Sequence, residues 1–263
     1  MVPSGIPAID ALTGGLPRGC LTEICGPASS GRTAFLLSAL AAATRRGEFC
    51  TLVDASDALD PHSAAAAGVA LDRLLWVRCG EDAPQRHPSS PLRAGSVTEK
   101  HGYQKEGSRE VGHFSQSAFD FERNGWKENS LLKLERRLEQ VLRATDLLLE
   151  SGGFGLIVLD LADLPPQAAR RIPLTTWFRF RRAIEHTPTI LLAIEPHPIA
   201  GSCSSLLLQL GSENEPADDP NFAEPTHAHL LTGLDINAEL IRSRLERKPA
   251  RSVTFATKTA WAG

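Results

Sequence analysis

The sequence predicts an α/β protein with a mainly parallel, twisted sheet flanked by helices and extended by antiparallel strands near its C-terminal end. Two observations predict this class. Short apolar runs alternate with helix-length segments, which is typical of strands buried on both faces of a parallel sheet. The first run leads into a glycine-containing loop and a helix, the context of a phosphate-binding P-loop. The 263 residues suit a single domain over 1–263.

Five apolar runs are the predicted parallel strands: LTEIC (21–25), CTLVD (50–54), LLWVR (74–78), LIVLD (156–160) and TILLAIE (189–195). The Ala/Leu-rich segment between the first two predicts a helix that ends in Arg45, Arg46 and Gly47. Positive charge suits the C-terminal end of a helix, and glycine stops it. From about Ser204 onward, shorter alternating segments such as SSLLLQL and RSVTFAT predict antiparallel strands or hairpins added to the sheet edge.

Residues 82–130 fit neither pattern. They are rich in Gly, Ser and His and carry seven acidic and seven basic residues. Such a composition buries little apolar surface, so it predicts a polar, flexible insertion within the domain.

The loop after the first strand, GPASSGRT, fits the P-loop pattern GxxxxGK[ST] at every defined position except one. Its two glycines let the backbone curl so that N–H groups point inward at a phosphate, and the hydroxyl of the final threonine reaches Mg²⁺. The predicted nucleotide-binding residues are Gly26, Pro27, Ala28, Ser29, Ser30, Gly31, Arg32 and Thr33. A Gly/Ser-rich turn without a ligand is the alternative.

The exception is Arg32, where the pattern has lysine. Lysine places a compact ammonium beneath the phosphates, whereas guanidinium is wider, planar and prefers a forked contact. Arginine therefore keeps the positive charge of lysine but not its shape. The loop therefore predicts binding of ATP with Mg²⁺ and leaves ATPase activity open, with hydrolysis the weaker expectation.

Asp160 ends the run LIVLD and so lies at the carboxyl edge of a predicted central strand. In P-loop proteins an aspartate at this place holds Mg²⁺, usually through water. We expect Thr33 and Asp160 to be the metal contacts, while an aspartate that only caps the following loop is the alternative.

Composition excludes several classes of protein. The net charge of −3 rules out a uniformly basic nucleic-acid binder, so any DNA contact must be a local patch. The five cysteines are unclustered and contain no CxxC pair for zinc, which is typical of small core residues in a reducing compartment. No leader and no long apolar stretch are evident, and these features together predict a cytoplasmic protein.

The segments SGIPAIDALTGGLPRGCLTEICGPASSGRT and FCTLVDASDALDP resemble the bacterial RecA recombinase and its relatives. LEQVLRATDLLLESGGFGLIVLD is similar to the RecA stretch with a catalytic Glu-Gln pair, which implies that Glu139 polarises the attacking water. LIRSRLERKP resembles the segment whose two lysines reach the nucleotide of a neighbouring subunit, which implies that role for Arg242 and Arg244. Glu139 also fits a solvated face of a long helical pattern.

Departures from RecA narrow this resemblance. Only about 25 residues precede the P-loop, so we expect the filament-forming N-terminal arm to be absent. Glu195 and Pro196 stand where RecA has an Asn-Gln pair that senses the γ-phosphate, and a glutamate there is expected to repel phosphate. The shortened core and the phrase GGFGLIVLDLADLPPQAARRIPLTTWFRFRRAIEHTPT look like the ImuA family, RecA-like accessory proteins of damage-induced (SOS-type) translesion synthesis.

Within that resemblance the implied partners are a Y-family polymerase-like protein of the ImuB type and RecA. Arg179, Arg181 and Arg182 lie among aromatic residues, so DNA or a partner protein could contact this segment. An amphipathic helix that buries Trp177, Phe180 and Ile184 is the other interpretation. The leading prediction is a nucleotide-binding adaptor in DNA repair with degraded hydrolysis. The alternative is an active DNA-dependent ATPase of the RecA or RadA recombinase or mediator type.

Overall fold

The structure is a computed structural model that describes residues 1–80, 116–212, 233, 235–244 and 251–257, with the backbone alone for 116–131 and 212. Its helices are α1 (Pro7–Thr13), α2 (Arg32–Arg45), α3 (Pro61–Ala66), α4 (Gln116–Ser151), α5 (Pro166–Ala169) and α6 (Leu174–Ile184). Its strands are β1 (Leu21–Cys25), β2 (Cys50–Asp54), β3 (Leu74–Arg78), β4 (Leu156–Asp160), β5 (Ile190–Glu195), β6 (Leu206–Ser212), β7 (Asp235–Ser243) and β8 (Arg251–Ala256).

All eight strands form one sheet in the order β3-β2-β4-β5-β1-β6-β7-β8. The first six strands in this order, from β3 at the sheet edge to β6, pair with their neighbours in parallel. Strands β7 and β8 then add in antiparallel fashion. The five apolar runs are therefore confirmed as parallel strands. The prediction for SSLLLQL was wrong in one respect: β6 pairs in parallel with β1 and only its outer edge carries the antiparallel extension. Its Leu-rich run already had the continuous apolar character of a central strand.

Two apolar layers cover the sheet. On one face, α1, α2 and α3 pack on residues such as Ile24, Leu52 and Val158. On the other face, α4 and α6 pack on the alternate residues of the same strands, among them Val53 and Ile157. Because successive strand residues point to opposite faces, each central strand must be apolar on both sides. This is why β1, β2 and β5 are buried along their whole length.

Local sequence explains where the shorter helices begin and end. Pro7 starts α1, and Gly14, with a φ of 76°, ends it in the left-handed conformation that glycine adopts readily. Asp60 caps α3: its carboxylate accepts hydrogen bonds from the backbone N–H groups of His62 and Ser63, at 3.2 and 3.0 Å.

Helix α4 is 36 residues long. It includes residues 116–130, the last part of the segment that the sequence predicted as a flexible insertion, and residues 82–115 of that segment lie outside the described residues. Its C-terminal half packs through Val141 and Leu148 on the α6 face of the sheet. Among the described helices, none is long and apolar enough to cross a membrane.

Candidate nucleotide site

The P-loop joins the carboxyl end of β1 to the first turn of α2, and its two glycines leave no room for side chains. A Cβ on Gly26 would lie 2.3 Å from the carbonyl oxygen of Leu210. A Cβ on Gly31 would lie 2.1 Å from Cδ1 of Ile236, and Gly31 also has a φ of 89°. Glycine is required at Gly31 both by its backbone conformation and by the close approach of β7.

A cavity of about 350 Å³ opens beside this loop. It lies between the start of α2, the carboxyl end of β4 and the start of α3. Residues of all three elements line it, including Arg32 and Thr33, Asp160 and Asp163, and Asp60 and Ser63. Parallel sheets commonly bind ligands outside the carboxyl ends of their strands, and this cavity has that position.

Asp160 occupies the predicted place at the end of β4 and faces the cavity. Its Oδ1 accepts a hydrogen bond of 3.0 Å from the backbone N–H of Ala162. Burial raises the pKa of the Asp160 carboxyl to about 6; the Ala162 N–H and the Arg32 charge lower it, while Asp54 and Asp163 raise it. The carboxylate is therefore costly to keep charged, and cations in the cavity will favour its charged form.

Arg32 reaches across the cavity. Its Nη1 donates a hydrogen bond of 3.4 Å to the carbonyl oxygen of Ala162, two residues after Asp160. The guanidinium is also close enough to lower the pKa of both Asp160 and Cys25. The side chain therefore bridges the P-loop and the carboxyl end of β4.

Sequence reasoning missed the part of the cavity that β2 and α3 build. Asp60 and Ser63 lie in the segment that follows β2. The end of β2 lies next to β4, with Asp54 opposite Asp160. The signal was available: carboxyl ends of parallel strands meet at one edge, so polar residues after β2 lie near the P-loop. The buried Asp54 carboxylate accepts hydrogen bonds from two backbone N–H groups and from the Trp76 indole.

Glu139 does not reach this cavity. It lies on an exposed face of α4, in the interior of the helix, and α4 packs on the sheet face opposite to α2. The resemblance to RecA implied a catalytic role for Glu139, whereas the helical pattern of the sequence placed it inside a long helix, and α4 indeed begins 23 residues earlier, at Gln116. Among the described residues that line the cavity, the carboxylates are Asp60, Asp160 and Asp163.

Arg242 and Arg244 lie at the other end of β7, away from the P-loop of their own chain. Arg242 donates to the carbonyl of Gly201 and, at 3.1 Å, to Oγ of Ser204, while Arg244 donates to the carbonyl of Ser202. Within the described chain, both side chains brace the segment before β6. Their contact with a neighbouring subunit stays a prediction.

The arginines of α6 do not share one environment. Arg179 forms an exposed ion pair with Asp146 of α4 at 2.7 Å, Arg181 is half-buried, and Arg182 is exposed. Trp177 and Phe180 are fully buried, as the amphipathic interpretation predicts.

A pair of carboxyl groups lies on β1 and β5, on the face of the sheet opposite to the cavity. Glu23 and Glu195 are both fully buried, and Oε1 of Glu23 accepts hydrogen bonds from the backbone N–H groups of Ile199 and Ala200, at 3.0 and 2.7 Å. Burial, and then the adjacent Glu23 carboxyl, raise the pKa of Glu195 well above its usual range. The same two carboxyls contribute to raising the pKa of the Cys25 thiol to about 12, after burial.

This pair corrects one expectation about phosphate repulsion. Glu195 was expected to carry a negative charge toward the nucleotide, but its side chain points away from the α2 face, and burial raises its pKa, which favours the neutral form. Its backbone carbonyl does meet the P-loop, since it accepts a hydrogen bond of 3.3 Å from the N–H of Gly26. Sequence alone gave a weak signal for the pair, namely a glutamate inside an otherwise apolar strand.

Comparison with known proteins agrees with this geometry over the first third of the chain. Residues 1–85 match the RecA N-terminal domain family. The RecA protein of Ectopseudomonas oleovorans is 56% identical over 62 residues, which are 24% of this chain and 18% of that protein. The mitochondrial DNA repair protein recA homolog of Dictyostelium discoideum is 47% identical over 77 residues, 28% of this chain and 17% of that protein. The chain thus spans about a fifth of the length of the curated relatives it matches.

The fold itself is shared over nearly the whole chain. The crystal structure of the RadB recombinase has a TM-score of 0.54 at 15% sequence identity, and the match covers 97% of this chain and 95% of that one. At this identity the likeness concerns the fold alone. The protein is therefore RecA-like in the sequence of its first third and RadB-like in fold.

Proposed function

We propose that this chain is a RecA-like nucleotide-binding protein that acts as an accessory or adaptor in DNA repair, with slow ATP hydrolysis. The observation that carries the proposal is the cavity beside Gly26–Thr33, in which a well-formed P-loop meets Asp160 but carries Arg32 in place of lysine. The loop supplies N–H groups and the positive end of α2 to a phosphate chain. ATP is the nucleotide that this resemblance implies.

Slow hydrolysis follows from the state of the carboxylates near the cavity. A water that attacks phosphate needs a base within hydrogen-bonding distance. Asp54 and Asp60 already accept hydrogen bonds from neighbouring groups of the chain, and Asp160 accepts one from Ala162. Asp163 is exposed at the rim of the cavity. With Glu139 on the other face of the sheet, the described cavity offers no buried carboxylate that is free to activate water.

The adaptor role rests on the resemblance and on the surface of α6 and α4. The match to the RecA N-terminal domain, and a relative named for mitochondrial DNA repair, support a place in DNA repair. Leu147, Leu174 and Phe178 are each at least half exposed, and the exposed Arg182 follows Phe178 by one helical turn on α6. Apolar side chains bordered by arginine are typical of protein interfaces. The proposed partner is a Y-family polymerase-like protein of the ImuB type, and RecA is proposed as a second partner. Direct contact with DNA is also part of the proposal.

Calorimetry and turnover assays on the purified chain test the proposal together. We expect saturable binding of ATP with one site per chain and a turnover that single-stranded DNA does not stimulate. DNA-stimulated hydrolysis would instead favour the recombinase-type ATPase. Thr33 and Asp160 occupy the positions that the RecA resemblance implies, which supports that alternative.

The partner surface has its own test. We expect Phe178→Ser to weaken co-purification with a Y-family polymerase-like protein while leaving ATP binding unchanged. Equal loss of both would indicate a damaged fold instead of a damaged surface. An exposed polar exchange on α4, Glu150→Gln, is the matched control.

A further inference from the structure

Arg32 holds the place in this cavity where a P-loop protein brings together phosphate, a divalent cation and the aspartate of β4. The side chain is half-buried, extends from the first turn of α2 and ends against the turn that follows Asp160. Ala162 joins the two, since its N–H donates to Asp160 and its carbonyl accepts from Arg32. A permanent positive charge is therefore built into the wall of the cavity.

The residues present fit a divalent cation poorly. The hydroxyl of Thr33 and the carboxylate of Asp160 are oxygen donors of the kind that Mg²⁺ takes. However, Asp160 already accepts a hydrogen bond from its own turn, and a guanidinium lies nearby. Mg²⁺ demands near-octahedral oxygen coordination and keeps several waters, and the positive charge of the guanidinium repels a cation placed close to it.

Guanidinium can supply what the ion would supply. It is planar, remains charged at every physiological pH and presents several N–H donors that match two phosphate oxygens at once. From the position of Arg32, these donors face the same space as the N–H groups at the start of α2. A diphosphate or triphosphate in that space would be neutralised from two sides by groups of the chain itself.

We propose that Arg32 replaces the divalent cation, so that this site binds nucleoside diphosphates and triphosphates equally well with and without Mg²⁺. The inference rests on the proposed nucleotide-binding function and adds that the site does not distinguish the metal-free nucleotide from its Mg²⁺ complex.

Titration calorimetry with ADP and ATP, each in excess Mg²⁺ and in EDTA, tests this in three proteins. For the wild type we expect dissociation constants that differ by less than threefold between the two conditions. For Arg32→Lys, which restores the compact ammonium, we expect binding that is at least tenfold tighter with Mg²⁺. Arg45→Lys makes the same chemical exchange at the exposed far end of the same helix and should behave as the wild type.

The outcomes separate this inference from the function on which it rests. Wild-type binding that weakens tenfold or more in EDTA overturns the replacement of the cation and leaves nucleotide binding intact. Metal-independent binding in both the wild type and Arg32→Lys shows that Arg32 is not its cause. No binding by the wild type in either condition overturns nucleotide binding itself, and the inference with it.

A second measurement uses the wild type and needs a variant only to locate an ion that is retained. Equilibrium dialysis of wild-type protein with Mn²⁺ and ADP should show no ion retained beyond the amount that ADP alone holds. Retention of one Mn²⁺ per chain, lost in Asp160→Asn, would place a metal on the aspartate of β4 and contradict the proposal.

Discussion

Replacing Glu195 with glutamine tests the buried carboxyl pair through the pH dependence of stability. Glutamine keeps the shape of the side chain and carries an N–H donor where the protonated acid carries an O–H donor, but it cannot ionise. The fully buried position and the adjacent carboxyl raise the pKa of Glu195 well above its usual range. The variant therefore removes a titration and leaves the packing in place.

Whether stability rises or falls with pH depends on which state, folded or unfolded, holds the proton of Glu195. At low pH both the folded and the unfolded chain have a neutral Glu195, and its contribution to stability is fully present. As the pH rises above the ordinary glutamate value of about 4.3, the unfolded chain releases this proton while the folded chain retains it. The stability of the wild type must therefore decline through this window, up to the raised pKa of the folded state.

One retained proton gives the size of the effect. A difference of one bound proton changes the free energy of unfolding by about 1.4 kcal/mol per pH unit. Over each pH unit in which the folded chain retains this proton, the wild type should therefore lose about 1.4 kcal/mol relative to Glu195→Gln, a measurable part of the roughly 5–15 kcal/mol that stabilises a typical domain. At pH 5 the two proteins should agree within about 1 kcal/mol, which is the value of one hydrogen bond.

Urea unfolding at half-unit steps of pH measures the difference curve, with m-values compared to check that both proteins unfold alike. Titrating groups outside this carboxyl pair are common to the two proteins and cancel. Glu185→Gln, at the exposed end of α6, is the control and should give a flat difference curve. A flat curve for Glu195→Gln, within about 0.5 kcal/mol, would refute the conclusion that the folded pair retains a proton.

Two further pairs of substitutions test the packing around the site and the surface of α6. Gly31→Ala should lower the free energy of unfolding by about 2–5 kcal/mol and impair nucleotide binding, because it adds strain at a φ of 89° to a clash with Ile236. Gly47 has a similar φ of 82° but open space around it, so in urea unfolding Gly47→Ala should show only the smaller strain cost of about 1–2 kcal/mol. Phe180→Ala should cost about 3–5 kcal/mol and Phe178→Ala less than about 0.5 kcal/mol, since the first is fully buried and the second is half exposed; equal costs would contradict the amphipathic orientation of α6.

The sequence predicted the features that local chemistry determines. Continuous apolar runs identified five strands because a parallel sheet buries both faces of each strand. The P-loop was readable because glycine is needed where the chain turns sharply between β1 and α2, and Gly31 has the positive φ that this turn requires. The buried stripe of Trp177 and Phe180 followed from helical spacing alone.

Features that depend on distant parts of the chain were missed. The catalytic role of Glu139 was inferred from its resemblance to a RecA segment, yet the residue lies inside α4, whose beginning falls in the segment that composition had marked as flexible. The pairing direction of β6 depends on its place beside β1, which the antiparallel texture of the following segments obscured. The partnership of Glu195 with Glu23 joins residues 172 positions apart, and no local pattern encodes it.

The carboxyl pair also leads to a prediction about nucleotide affinity. The Glu195 side chain and the cavity are on opposite faces of the sheet, and the link between them is the hydrogen bond from the Gly26 N–H to the Glu195 carbonyl. A main-chain hydrogen bond does not depend on the identity of the side chain, so the P-loop should keep its position when the carboxyl is exchanged. Glu195→Gln should therefore bind ATP within about twofold of the wild type at pH 5, where the two proteins should agree in stability within about 1 kcal/mol. A tenfold change, about 1.4 kcal/mol, would mean that the charge of this side chain acts on the phosphates through the sheet, as the sequence alone had suggested.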